Sequence, residues 1–230
     1  MKFLYDLHIH SALSPCADNE NTPVNIVARA SAEGLEIIAV SDHNAIGNVP
    51  AAIEVGEALD VLVVPAVELQ TAEDIHLLCL FENFESLKGF YDSIAFHNIL
   101  NDPDVFGEQY FIDSDDEITG IEKRLLLAGA LISETDVKSL AEKFSGVVVP
   151  AHVDRDANGI VAILGAVPDY YTAVELSSDC SEETAKEYGK KFRLIFDSDS
   201  HTLCDIGKGR KLIDLKERSI NALLSYLKGE

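Results

Sequence analysis

The chain has 230 residues, a length typical of one large domain, and its 47% hydrophobic and 25% charged residues are those of a globular protein. No apolar run reaches the ~18 residues that a membrane-spanning helix requires. The formal net charge of −22 argues against a broad cationic surface, so we expect a small substrate and neither duplex nucleic acid nor a membrane as partner.

The N-terminal segment and the cysteine spacing are used to predict the cellular compartment of the protein. The chain starts without the basic, apolar and small-residue segments of a signal peptide. Its four cysteines, which form no CxxC pair, are Cys16, Cys79, Cys180 and Cys204. This spacing indicates neither a disulfide framework nor a cysteine zinc site. We therefore expect a single cytoplasmic domain over residues 1–230.

Short β-branched apolar runs alternate with segments of helical periodicity, as in α/β folds with parallel strands. The predicted strands are 3–7, 35–40, 61–67, 76–81, 147–151, 173–176 and 194–196. Thr22 is predicted to cap the first helix, with Pro23 in its first position and Gly34 after its end. The predicted packing face of this helix consists of Val24, Val27, Ala28 and Ser31. A second helix is predicted from about residue 48 to Leu59.

The alternation of predicted strands and helices is interrupted between residues 84 and 142. An acidic stretch at 113–117 lies among segments that look helical, and a further helix is predicted over 134–144. We therefore expect a mostly helical insertion at about 84–142.

Histidines follow the predicted strands. Residues two apart in a strand share a face, so His8 and His10 should present their imidazoles side by side. His43, His152 and His201 each follow another apolar run. Because the carboxyl ends of parallel strands converge, these side chains should meet at one rim.

Two further residues extend this set. Glu68 ends one apolar run and His76 opens the next, so an antiparallel pairing would bring them together. Six of the seven histidines would then meet, and His97 is interpreted as a surface or packing residue. With Asp18, Glu68 and Asp199 they form a donor set suited to Zn, Mn or Fe. The alternative is that each of these histidines is an unrelated polar residue with its own hydrogen-bond partner. This explanation would have to hold for all six histidines.

The ordered motif blocks resemble the PHP family, named for its polymerase and histidinol phosphatase members. The blocks are 6–11, 41–44, Glu68 with His76, His152, and 199–201. The resemblance implies a distorted (βα)7 barrel and a site for three divalent metal ions, Zn, Mn or Fe. The implied ligands are His8, His10, Glu68 and Asp199 for one metal, Glu68, His76 and His152 for a second, and Asp18, His43 and His201 for a third. The family often has histidine where Asp18 stands, and Cys16, Asn19 or Glu20 could substitute.

The implied reaction is attack on phosphorus by a metal-activated water, which needs no side-chain nucleophile. Asp6, Asp42 and Asp197 lie one or two residues from implied ligands, and we expect at least one of them to orient an imidazole. The alternative for each is a strand-end cap or a solvated carboxylate.

Arg155 is the first candidate to bind a substrate phosphate, because a guanidinium binds phosphate oxygens in a bidentate manner. Arg124 and Arg210 are the next candidates, and the alternative for each arginine is a surface ion pair. The predicted function is a metal-dependent phosphoesterase that acts on a small phosphorylated metabolite, a nucleoside phosphate or a short oligonucleotide end. The alternatives are a metal-dependent amide or ester hydrolase and a non-catalytic regulatory metal-binding domain.

Overall fold

The computed structural model describes residues 1–209 and 211–230, and within them helices and strands alternate in a mixed α/β fold. The strands are β1 (Lys2–Ile9), β2 (Ile37–Val40), β3 (Leu62–Val63), β4 (Ala66–Gln70), β5 (His76–Leu80), β6 (Tyr110–Ile112), β7 (Ile118–Ile121), β8 (Val147–Pro150), β9 (Ala173–Ser177), β10 (Arg193–Asp197) and β11 (Lys211–Asp214). The helices are α1 (Pro23–Ala32), α2 (Val49–Leu59), α3 (Phe84–Asp92), α4 (Pro103–Phe106), α5 (Glu134–Lys143), α6 (Ile160–Leu164), α7 (Glu182–Tyr188) and α8 (Ile220–Lys228). None of the helices in the described ranges has the length and apolarity to cross a membrane.

The described strands form four sheets. The first has the order β11-β1-β2-β3, with β1 parallel to β2 and antiparallel to β11. The second is β4-β5-β8, in which β5 runs antiparallel to both neighbours. Strands β9 and β10 pair in parallel, and β6 and β7 form a separate hairpin.

Backbone hydrogen bonds join three of these sheets where their strands end. The bonds run from the His10 N–H to the Ser200 carbonyl (2.9 Å), from the Glu68 N–H to the Asp42 carbonyl (3.2 Å) and from the Val153 N–H to the Glu175 carbonyl (3.0 Å). The ends of β1, β2, β8 and β10 therefore lie on one rim with β4 and β9. This rim carries the histidines.

Strand β5 runs antiparallel to β4, which is the arrangement expected if Glu68 and His76 are to lie close together. His76 lies opposite Gln70, so the start of β5 reaches the rim where β4 ends. The predicted strand 61–67 is in fact two strands, β3 and β4, separated by Val64 and Pro65. A break is expected there because proline has no N–H to donate to a ladder.

Helix α1 begins as predicted, but its packing face is different. The Thr22 hydroxyl accepts a hydrogen bond from the Asn25 N–H at 3.2 Å. The buried positions are Pro23, Ile26, Val27 and Ala30, whereas Ala28 and Ser31 are exposed. The predicted face left out Ile26, the largest apolar side chain of the helix. Because burial of this side chain is favourable, the helix is oriented with Ile26 facing the core.

The segment 84–142 is not mostly helical, so that expectation is wrong. Helices α3, α4 and α5 lie in it, but residues 110–121 form the β6–β7 hairpin. The acidic stretch makes the turn of this hairpin, where the Asp113 carboxylate accepts hydrogen bonds from the N–H groups of Asp115 (3.1 Å) and Glu117 (3.0 Å). Aspartates stabilise turns through such side chain to backbone bonds, which helical periodicity does not reveal.

Candidate metal centre

Six of the seven histidines lie together at the rim. Neighbouring imidazole centroids are 4.3 to 6.3 Å apart. The six are His8, His10, His43, His76, His152 and His201. They come from strand ends in three sheets, so the fold brings together residues that are as many as 193 positions apart, the separation of His8 and His201.

Glu68, on β4, lies at the centre of this cluster and is fully buried. Its two carboxylate oxygens approach nitrogens of five histidines within 3.5 Å. The contacts are His43 Nδ1 at 2.7 Å, His76 Nδ1 at 2.8 Å, His8 Nε2 at 3.2 Å, His152 Nε2 at 3.3 Å and His10 Nε2 at 3.5 Å. A single carboxylate is thus in contact with five of the six imidazoles of the cluster.

Asp199 extends the cluster from the loop after β10. One carboxylate oxygen, Oδ1, lies 3.1 Å from His10 Nε2 and 3.5 Å from His8 Nε2. Asp199 and His152 both have left-handed backbone conformations, with φ of 49° and 31°. Residues other than glycine are rare in this region, and such strain is concentrated at functional sites.

The donor atoms fit a bound cation. His8 Nε2, His43 Nδ1 and Glu68 Oε2 are buried without a hydrogen bond of acceptable geometry. Buried polar atoms of folded proteins nearly always have a partner, and a shared metal ion would supply one here. Three groups of residues each offer donor atoms that all lie within 4.8 Å of one another. The groups are His8 with His10 and Glu68, His43 with Glu68 and His76, and His10 with His43 and His201.

The charges of the cluster favour an ionised Glu68 and a neutral His10, whereas the groups around His8 and His43, Glu68 among them, outweigh burial and raise the pKa of both imidazoles. Burial would raise the pKa of Glu68, but the neighbouring histidines outweigh it and lower that pKa well below its usual value. Burial lowers the pKa of His10 to about 3, and the adjacent His43 acts in the same direction. A carboxylate and a neutral imidazole are the forms that bind metal ions.

Glu175, on β9, holds His8 in place, and the sequence reasoning missed it. Its carboxylate oxygens lie 3.0 and 3.1 Å from His8 Nδ1, so the imidazole donates at Nδ1 and keeps the Nε2 lone pair free toward Glu68. Carboxylate partners of this kind fix the tautomer of metal-binding histidines. The available signal was a charged residue within the otherwise uncharged strand Ala173–Ser177.

Asp42 acts on His10 through a serine. The Ser14 hydroxyl accepts a hydrogen bond from His10 Nδ1 (3.1 Å) and donates one to Asp42 Oδ1 (2.7 Å). Asp42 also accepts from the N–H and hydroxyl of Ser11, at 2.7 and 2.6 Å. His10 Nε2 is therefore the nitrogen left to face Glu68 and Asp199.

The other two aspartates bind the backbone of the rim. Asp6 accepts hydrogen bonds from the N–H groups of Ser198 (3.0 Å) and Gly207 (2.8 Å), and burial raises its pKa to about 6. Asp197 accepts from the Leu7 N–H at 2.6 Å. These contacts fix the loop after β10, which carries Asp199 and His201.

The predicted substrate-binding arginines have different surroundings. Arg155 forms an ion pair with Asp199 Oδ2 and lines a cavity of about 170 Å³ at the histidines. Arg124 instead donates to the Asn44 carbonyl and the Tyr91 hydroxyl, both at 2.8 Å, and is not among the described residues that line this cavity. Arg210 lies outside the described residues.

Asp18 is exposed, and none of the three donor groups found among the described residues includes it. Its backbone N–H donates to the His201 carbonyl at 2.9 Å. The loop therefore reaches the cluster through its backbone at this position.

The chain resembles known proteins in sequence and in fold. The family model described as PHP domain matches residues 6–199. No curated protein matches the sequence. Similar folds include the lesion-specific endonuclease EndoQ from Pyrococcus furiosus, with a TM-score of 0.69 and 15% identity over 100% of this chain and 56% of that chain.

Two smaller proteins also share the fold. One, from Bifidobacterium adolescentis, is assigned as a metal-dependent phosphoesterase, with a TM-score of 0.59 and 17% identity over 89% of this chain and 88% of that chain. The other is an amidohydrolase from Chromobacterium violaceum, solved with bound sulfate, with a TM-score of 0.62 and 18% identity over 96% of both chains.

The exclusion of duplex nucleic acid as a partner is wrong. An Endonuclease Q structure with the same fold, at a TM-score of 0.70 and 16% identity over 100% of this chain and 57% of that chain, is a complex with a 27-mer duplex that carries an abasic lesion. Net charge averages over the whole surface and does not report the local field at a metal site. This chain spans little more than half the length of the endonuclease chains that it matches.

The histidine and glutamate cluster coincides with the motif blocks, and the family match extends over most of the sequence. Together with the phosphoesterase among the similar folds, these findings support a metal-dependent hydrolase. On the extent of the family match, this chain belongs to the PHP family.

Proposed function

We propose that the protein is a metal-dependent phosphoesterase whose active site is the histidine rim. The observation that carries this proposal is Glu68, a buried carboxylate within 3.5 Å of nitrogens from five histidines. Such an arrangement is suited to a carboxylate shared between metal ions. The proposed setting is the rim of a distorted (βα)7 barrel, and the backbone hydrogen bonds that join three of the sheets support this proposal.

The proposed ligands fall into three sets with Glu68 at their centre. They are His8, His10, Glu68 and Asp199 for one ion, Glu68, His76 and His152 for a second, and His43 and His201 for a third, at which Asp18 was the predicted further ligand. When bound, divalent ions of the Zn, Mn or Fe type would polarise a phosphoryl oxygen and lower the pKa of water from ~15.7 towards ~7.

The protein's own groups orient this set. Glu175 fixes His8 through Nδ1, and Asp42 fixes His10 through Ser14. Both imidazoles are fully buried, so their Nε2 atoms keep one direction. Removal of either support would let an imidazole rotate and would misplace a donor atom.

Arg155 is the proposed phosphate-binding residue. It lies at the 170 Å³ cavity beside Asp199, and its guanidinium pairs with that carboxylate through one nitrogen. The planar guanidinium has five N–H donors, so donors remain for a phosphate oxygen. The ion pair holds the side chain at the cavity before substrate arrives.

The proposed substrates are phosphate esters: a small phosphorylated metabolite, a nucleoside phosphate or an oligonucleotide end. Duplex DNA belongs among the compounds tested, because an Endonuclease Q complex with duplex DNA has the same fold. Hydrolysis of a carbon–nitrogen bond is the second candidate, and the amidohydrolase that shares the fold over 96% of both chains favours it. The product, inorganic phosphate or an amine, separates the two.

The test is metal-dependent product release by chelator-stripped protein reloaded with Mn or Zn. The panel contains phosphomonoesters, nucleotides, an intact and a lesion-bearing DNA duplex, and amides. His76→Ala removes a proposed ligand, whereas His97→Ala makes the same change at an exposed position outside the cluster. We expect release of inorganic phosphate, or a cut in the DNA, that His76→Ala abolishes and His97→Ala retains.

Two results would contradict the proposal. One is amine release without phosphate release or DNA cleavage, which would favour the second candidate. The other is stoichiometric metal binding without turnover of any compound, which would favour a non-catalytic metal-binding domain.

A further inference from the structure

Asn44 directly follows His43 and lies where residues 84–142 meet the histidine cluster. Its side chain is fully buried. We propose that Asn44 is a positioning residue that holds His43 and Glu68 in the geometry that binds metal, and that Arg124 supports it from the segment 84–142. This inference rests on the proposed function, because it concerns the support of the same metal centre.

The chain just after β2 pairs with β4 through a short parallel ladder. His43 lies opposite Glu68 in this ladder. The Glu68 N–H donates to the Asp42 carbonyl at 3.2 Å, and the Asn44 N–H donates to the Glu68 carbonyl at 2.9 Å. In a regular parallel ladder, the next bond would run from the Gln70 N–H to the Asn44 carbonyl.

The side chain of Asn44 takes the place of its own backbone in that next bond. Asn44 has a left-handed backbone conformation with a φ of 49°, and the Gln70 N–H donates to its Oδ1 at 3.0 Å. Asparagine adopts this conformation more readily than most residues, because its short amide can form local hydrogen bonds. The Asn44 N–H and Oδ1 therefore fix the backbone of β4 on both sides of the Glu68 side chain.

The other polar groups of Asn44 bind the segment 84–142. Its Nδ2 donates to the Leu126 carbonyl at 2.8 Å. Its carbonyl accepts hydrogen bonds from Arg124 Nη2 at 2.8 Å and from the Tyr91 hydroxyl at 3.0 Å. An amide side chain combines an acceptor for one element with a donor for the other. Asn44 thus joins the segment to the strand that carries Glu68.

The distances within one group of donor atoms depend on this attachment. His43 and Glu68 belong to the group that also includes His76, and His43 Nδ1 lies 2.7 Å from Glu68 Oε2. Without the Asn44 amide, β4 would lose its hydrogen bond at Gln70. The donor atoms would keep their chemistry but lose the support that fixes their separation, so metal binding should weaken.

The test is the affinity of chelator-stripped protein for Zn²⁺, measured by competition with a chromophoric chelator. Asn44→Gly removes the amide, and glycine still adopts the left-handed backbone conformation. We expect the affinity to fall by about tenfold or more.

Asn101→Gly is the matched control. Asn101 Nδ2 also donates to a backbone carbonyl, that of Gly107 at 2.7 Å, within the same segment. None of the described hydrogen bonds of Asn101 reaches β4. Its substitution should leave the affinity for Zn²⁺ at the wild-type value.

Arg124→Met is a second variant, which leaves Asn44 in place and removes one donor to its carbonyl. We expect its affinity for Zn²⁺ to fall, but by less than in Asn44→Gly. If Arg124 bound substrate instead, KM would rise and the affinity for Zn²⁺ would stay unchanged. The two measurements therefore separate a positioning role from substrate binding.

Wild-type affinity in Asn44→Gly, or in Arg124→Met if Asn44→Gly does not fold, would overturn the inference. So would an equal fall in Asn101→Gly, because loosening of the segment anywhere would then have the same effect. In both cases, metal-dependent phosphate release that His76→Ala abolishes would still support the proposed function. Failure of the wild type to bind Zn²⁺ would overturn the inference and the metal centre together.

Discussion

At the scale of single residues, Glu175 is a fully buried carboxylate whose role is to orient His8. Glu175→Gln retains the shape but removes the charge that makes the imidazole a stronger ligand. We expect metal affinity to fall by about 10–100-fold, the usual effect of losing a carboxylate behind a metal-binding histidine. Competition with a chromophoric chelator measures this affinity. Glu57→Gln, at an exposed position of α2, should leave it unchanged; equal affinities in the two variants would refute the role of Glu175.

Glu68→Gln tests the carboxylate at the centre of the cluster. Because Glu68 approaches five histidines, its loss should reduce metal affinity by more than about 100-fold, beyond the effect expected of a supporting residue. The metal content after dialysis gives the measurement.

Glu134→Gln is the control for Glu68→Gln. Glu134 is also buried, but it accepts hydrogen bonds from Tyr170 (2.6 Å) and Tyr171 away from the rim. Its substitution should lower the free energy of unfolding and leave the metal content unchanged. If Glu68→Gln retained its metal as this control does, a central role for Glu68 would be wrong.

At the scale of elements, Gly56 sets how closely α2 packs on β3. A Cβ at this position would lie 2.5 Å from Val63 Cγ2 and 2.7 Å from the Val61 carbonyl oxygen. Helix propensity alone would make Gly56→Ala stabilising by about 1 kcal/mol. Because a backbone oxygen cannot move as a side chain does, we expect the opposite, a loss of about 1–3 kcal/mol in the free energy of unfolding.

Urea denaturation of Gly56→Ala gives this free energy. Glu57→Ala, one residue later on the exposed face, is the control and should change it by less than about 0.5 kcal/mol. Stabilisation of Gly56→Ala would show that α2 can move away from β3 at little cost.

At the scale of the whole molecule, the proposed metal ions would connect sheets that a few backbone hydrogen bonds also join where their strands end. An ion that binds only the folded state stabilises it by about 2.7 kcal/mol when its concentration is 100 times Kd. For a domain of this size, that corresponds to a fall in Tm of about 5–10 °C after chelation. Differential scanning calorimetry before and after chelation measures the change, and added Mn or Zn should reverse it. The Tm of Glu68→Gln should not change on chelation. If the Tm of the wild type were also unchanged by chelation, this would argue against metal ions joining the sheets.

The local sequence predicted the features that depend on neighbouring residues. The start of α1 follows from Thr22 and Pro23, because a cap needs only the three residues after it. Most of the strands follow from short β-branched runs, and the positions of the histidines follow from the ends of those runs. The meeting of these histidines could also be anticipated, because parallel strands direct their carboxyl ends to one edge.

The tertiary structure decided what depends on distant contacts. The buried face of α1 is set by packing with residues such as Ile9 and Ile38, which periodicity within the helix does not identify. The partnership of Glu175 with His8 spans 167 positions, so no local pattern contains it. The sequence by itself thus determined which side chains could form a metal site. Only the fold decided which of them orient the others, because hydrogen-bond partners are set by distance in space and not along the chain.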